Sequence, residues 1–127
     1  NLIEKYKIKQ KNILGHSDIA PVRKKDPGEK FPWKYFAKFG IGKWHSLSKK
    51  ILLKSRKKEI NFVEKKFFFN NLSRIGYSIK KPPKLKRDKF LSFITSAFQR
   101  RFRQELIDGK IDQECLLISQ NLANKLN

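Results

Sequence analysis

The chain has 127 residues, room for one ordinary domain or two small pieces, and its 39% hydrophobic and 13% aromatic content excludes wholesale disorder. The formal charge of +20 comes from 31 basic against 11 acidic residues, and 24 of the basic ones are Lys. A single cysteine, Cys115, excludes an internal disulfide and a thiolate metal cluster, and no apolar run reaches the ~18 residues a membrane span needs. Three readings of the charge stay open: a nucleic-acid binder, a protein of anionic surfaces such as lipid headgroups or wall polymers, or a solvated lysine bias with no partner. Lysine in place of arginine weighs against the first, because base and phosphate readers lean on the bidentate guanidinium. The chain has no Met and begins at Asn1, which reads as a piece of something longer or a processed product.

Leu2, Ile3 and Tyr6 are spaced as the last turns of an amphipathic helix. Asn12-Ile13-Leu14-Gly15-His16 reads as a short buried strand delivering His16 at its carboxyl end, where open α/β sheets collect ligands. On that pattern alone the favoured reading of His16 is a satisfied, half-buried packing residue. Residues 17–31 form a long connection punctuated by Pro21 and by Asp26-Pro27-Gly28, and loops of this length tend to be functional. Trp33 to Phe39 predicts a short helix between Pro32 and Gly40, with Trp33 and Phe36 as core packing. Residues 43–58 are basic and irregular, with Ile51-Leu52-Leu53 as a further short strand.

The rest predicts three helices. Asn61 to Ile75 carries Phe68, Leu72 and Ile75 on one face and stops at Gly76. After Pro82-Pro83, Asp88 is expected to cap a helix with the stripe Phe90, Ile94, Ala97, Phe98 and Phe102. Asp112 caps the last helix, with Ile111 and Leu116 placed as a hydrophobic staple and Cys115, Ile118, Leu122 and Leu126 on the buried side. Cys115 is therefore a core residue.

Imidazole nitrogen and carboxylate oxygen both bind zinc, and a hydrolytic zinc needs three protein ligands and one open position. His16 and Asp26 supply two such groups if the loop folds back on itself. Lys24 then offers a fixed positive charge to an oxyanion developing on a substrate carbonyl.

The run Gly15-His16-Ser17-Asp18-Ile19-Ala20-Pro21, with Arg23-Lys24, Asp26-Pro27-Gly28, Phe31-Pro32-Trp33 and Ile41-Gly42-Lys43-Trp44, closely resembles the signature of zinc-dependent N-acetylmuramoyl-L-alanine amidases. Those enzymes cleave the amide between the lactyl group of N-acetylmuramic acid and the L-alanine of the peptidoglycan stem. The resemblance implies that His16 and Asp26 are zinc ligands and that Lys24 stabilises the tetrahedral intermediate. Ser17, Asp18 and Arg23 match as loop-shaping residues, while Val22 stands where Gly or a polar residue is usual and Lys25 adds charge beside the site. Leu72 to Tyr77, Ala97 to Arg103 and Asp108 to Asp112 resemble the helical peptidoglycan-binding-type module appended to some of these amidases, with Cys115 at a common Thr position.

The implied organisation is an α/β remnant of the catalytic domain over residues 1–45, a basic linker over 46–60, and a small all-α three-helix module over 61–127. The family's first histidine ligand and its glutamate base find no counterpart, for His45 reads as a surface residue and Glu4 as part of a helix. The chain is thus expected to be a C-terminal fragment, inactive alone, with zinc as its cofactor and peptidoglycan or a muropeptide as its partner, together with a missing N-terminal half. No nucleic-acid partner is expected. The resemblance favours the periplasm or cell envelope, with the cytoplasm as the alternative. A non-catalytic wall-binding remnant and a basic nucleic-acid-binding protein are the rival readings.

Overall fold

The computed structural model describes residues 2–126 and, among them, contains helices and turns but no strand. The helices are α1 (Leu2–Lys5), α2 (His16–Ile19), α3 (Trp33–Ala37), α4 (Lys49–Ser55), α5 (Phe62–Ile75), α6 (Arg87–Phe102) and α7 (Gln113–Asn124), with a 3-10 turn at Gln10–Asn12. The short helices come first and the three long ones last.

The expected α/β remnant is therefore corrected to an all-helical arrangement. Ile13 is extended, but its carbonyl accepts a 2.9 Å hydrogen bond from Arg101 Nη2 instead of a neighbouring strand, and Leu14 is 40% exposed. A strand is defined by its ladder, and no other described segment offers one. His16 consequently opens a helix and does not end a strand. Ile51-Leu52-Leu53 is likewise helical, because Ser48 caps α4 by accepting from the Ile51 N–H at 3.3 Å.

The three long helices follow their sequence patterns. Asn61 and Glu64 close a reciprocal capping box on α5 at 2.9 and 3.1 Å, and Gly76, at φ 124°, ends it. Helix α6 begins at Arg87 behind Lys86 and has no side-chain cap, so Asp88 lies inside the first turn, where its charge suits the helix dipole. Asp112 caps α7 through the Cys115 N–H at 3.0 Å. Phe68, Leu72, Phe90, Ile94, Phe98, Cys115, Ile118 and Leu122 form one buried cluster, with Ile111 and Leu116 of the staple packed into it. Cys115 is fully buried, which pushes its thiol up to about 12.

Residues 46–60 are tied to α7. The Ser46 N–H donates to Asn121 Oδ1, the Lys57 N–H to Asp112 Oδ2, and the Gln113 N–H to the Lys58 carbonyl. Arg56 forks onto Glu114 at 2.7 and 2.8 Å. Beneath this edge Arg103, fully buried, pairs with Asp112 and Asp108 and donates from Nε to the Leu106 carbonyl at 2.9 Å. A buried guanidinium is tolerable only with such saturation by acceptors.

Candidate active site

The site is a loop clamped at its base and open at its tip. Gly15 precedes α2, and a Cβ there would fall 2.7 Å from Pro27 Cδ, so glycine is what lets the two ends of the loop meet. The Ser17 N–H closes them by donating to the Asp26 carbonyl at 3.0 Å. Within the turn, the Asp18 carboxylate accepts from the Gly15 N–H at 2.9 Å.

Asp18 is also the anchor to the helices. It is buried, and its carboxylate takes a 2.7 Å ion pair from Arg101 Nη1 on α6 and a 2.5 Å hydrogen bond from the Tyr77 hydroxyl. Burial raises the Tyr77 hydroxyl well above its ordinary pKa, with the Asp18 charge adding to the effect, so it stays a donor. The Arg101 guanidinium lies 4.0 Å from the Trp33 ring centroid, and Gln104, just past the end of α6, donates to the Phe31 carbonyl at 2.7 Å. Val22, expected as a departure from the family pattern, packs against the helical core.

With the base held, His16 and Asp26 are brought together. His16 Nδ1 donates to Asp26 Oδ2 at 2.7 Å, and both side chains stay open to solvent, at 64% and 62%. The Asp26 carboxyl lies below the usual carboxylate range, chiefly because of the His16 hydrogen bond, with the charges of His16 and Lys24 in support. Lys24, whose N–H is fixed on the Ala20 carbonyl at 2.9 Å, thus contributes positive charge at the pair without bonding to either member.

An exposed imidazole nitrogen facing an exposed carboxylate oxygen is a donor pair suited to zinc. Among the described residues, however, no three His, Cys, Asp or Glu side chains form a group that could hold a metal ion. The residues present therefore fit two of the three protein ligands that a hydrolytic zinc requires. His45, expected at the surface, is instead buried, its ring 5.0 Å from that of Trp44 and its Nδ1 accepting from the Leu47 N–H at 3.3 Å. Burial, aided by Lys34 and Lys125, lowers it to about 4, so it is neutral and committed to the fold.

The sequence reading missed the Asp18–Tyr77–Arg101 anchor. A signal was present: Arg101 stands four residues after Ala97 and three after Phe98, on the apolar stripe of α6, where an arginine needs a buried acid.

This geometry has counterparts in known proteins. The chain is 34% identical over 125 residues to the N-acetylmuramoyl-L-alanine amidase AmiD of Escherichia coli, a match covering 98% of this chain and 44% of that protein. A shorter stretch of 35 residues is 57% identical to the 1,6-anhydro-N-acetylmuramyl-L-alanine amidase AmpD of Enterobacter cloacae, covering 28% of this chain and 19% of that one. The chain is a relative of the N-acetylmuramoyl-L-alanine amidases.

Solved structures of these amidases agree. AmiD of E. coli, in complex with the substrate anhydro-N-acetylmuramic acid-L-Ala-D-gamma-Glu-L-Lys, superposes with a TM-score of 0.81 over 98% of this chain and 48% of that one. AmpDh3 of Pseudomonas aeruginosa does so with a TM-score of 0.77 at 31% identity, over 99% of this chain and 49% of that one. The chain thus spans about half the length of the amidases it matches. No family model matches it.

Proposed function

We propose that this chain is the C-terminal part of a zinc-dependent N-acetylmuramoyl-L-alanine amidase, carrying half of the active site and a helical module over residues 61–127. The observation that carries the reading is the solvent-open contact of His16 Nδ1 with Asp26 Oδ2 at 2.7 Å, inside a chain related along its length to amidases. In this reading His16 and Asp26 hold the metal and Lys24 places its ammonium beside the substrate carbonyl. Zinc held by them would supply Lewis-acid polarisation of the lactyl–L-alanine carbonyl and would acidify a water at the site. The protein's own part is to hold the donors in place through the Asp18 anchor and to set positive charge where an oxyanion develops. The third ligand and the general base come from the portion of the relatives' length that this chain does not match, so the chain alone turns over no substrate.

Complementation tests this. The chain mixed with an N-terminal half of an amidase of this family is expected to release stem peptide from a muropeptide when zinc is present, and to release none by itself. His16→Ala or Asp26→Ala abolishes the restored activity, and Lys24→Ala lowers kcat by about 10²–10³-fold, the loss seen on removing one oxyanion donor. Release of stem peptide by the unmixed chain would overturn the half-site. Zinc binding gives an independent readout: the ring protons of His16, and not those of buried His45, shift in NMR on titration with zinc.

A second reading is favoured by the lack of a three-donor group among the described residues. The chain then serves as a non-catalytic wall-binding remnant. Retention on purified peptidoglycan, with no activity restored in any mixture, selects it.

A further inference from the structure

We propose that the outer face of α5 is a docking surface for an anionic phospholipid bilayer. The inner face of this helix buries Phe68, Asn71 and Leu72 in the core. On the opposite side, at helical spacing, stand Phe62, Val63, Lys66 and Phe67. The three apolar members are 70%, 58% and 55% exposed, although the same helix has a full core face in which to bury large residues. The Lys66 ammonium lies 4.7 Å from the Phe62 ring centroid, so cation and ring are presented together. Lys65 is exposed on the edge of α5 that shares a cleft with Asp88, and Lys54, Lys57 and Lys58 are exposed in the segment before the helix. The nearest acid, Glu64, is turned onto the Asn61 N–H.

Protruding apolar side chains with a lysine ammonium set among them, next to further exposed lysines, match the two layers of an anionic membrane surface. The phenylalanines and the valine enter the acyl boundary while the lysines meet phosphate. The same face suits a nucleic acid poorly. Valine offers nothing to a base, and the arginines nearest this face are engaged elsewhere, Arg56 with Glu114 and Arg74 with the Ala123 carbonyl. The surface makes no use of His16, Lys24 or Asp26, so it stands or falls apart from the catalytic reading.

The test is co-sedimentation of the full chain with vesicles of phosphatidylcholine, with and without phosphatidylglycerol, and a parallel titration with duplex DNA. Retention is expected on the anionic vesicles alone, falling with salt. Phe62→Ser combined with Phe67→Ser is expected to weaken it about tenfold, with the far-UV circular dichroism unchanged, since both side chains lie outside the core. Lys65→Glu combined with Lys66→Glu weakens it further. Equal retention of the parent and the double serine variant would mean that charge alone drives binding, and overturns the docking surface. So would binding of duplex DNA that is tighter than vesicle binding and is lost in the same serine variant.

Discussion

Asp18 shows how much a single side chain holds in this molecule. A buried carboxylate must be paired, and Arg101, Tyr77 and the Gly15 N–H together satisfy it. Replacing Arg101 by Ala leaves that charge without its cation, and the expected cost is about 3–5 kcal/mol, read as a drop in the midpoint of chemical unfolding. Tyr77→Phe removes one neutral donor and is expected to cost less, about 1–2 kcal/mol. His45 makes a second prediction at this scale. Its folded pKa of about 4 lies below the unfolded value of 6.5, so the unfolded chain binds the extra proton first as pH falls. Stability is complete above pH 6.5 and drains as pH drops toward 4, because protonating Nδ1 also destroys the bond from the Leu47 N–H. Urea midpoints measured across that window are expected to fall for the parent chain and to change less for His45→Asn.

Among the elements, the caps separate what was legible from what was not. Asp112 was readable because a capping side chain acts on backbone three residues away, within reach of a sequence pattern, whereas the cap expected of Asp88 does not form and that of Asn61 went unread. Asp112 does more than cap, since its other oxygen takes the Lys57 N–H and Arg103. Asp112→Ala is therefore expected to cost more than the ~1 kcal/mol of an ordinary cap, whereas Asn61→Ala stays near that figure, as thermal melts of the two variants will show. The strand reading of residues 12–16 failed for the complementary reason. A short apolar run is ambiguous until a partner strand exists, and here the Ile13 carbonyl is taken by Arg101.

For the whole molecule, the loop region and the helices are interlocked. Trp33 lies under Arg101, Gln104 holds the Phe31 carbonyl, and Val22, Trp44, Leu47 and Leu52 pack against the helical core. Residues 61–127 expressed alone lose these covers and leave Arg101 without Asp18, so they are expected to unfold at a clearly lower temperature than the full chain. The full chain is expected to unfold in one transition by both circular dichroism and tryptophan fluorescence, since Trp33 and Trp44 report on the loop region.

The sequence by itself determined the three long helices and the burial of Cys115 and Trp33, which rest on local spacing and residue type. His16, Lys24 and Asp26 stood out through a family resemblance, since their spacing alone is weakly constrained. Only the tertiary structure decided that His16 opens a helix, that His45 is buried, and that the loop carrying His16 and Asp26 is bolted to a helix 83 residues away by Asp18 and Arg101. Those outcomes depend on which partner occupies each buried charge and each backbone carbonyl. Partners so distant in sequence leave no period for a sequence reading to detect.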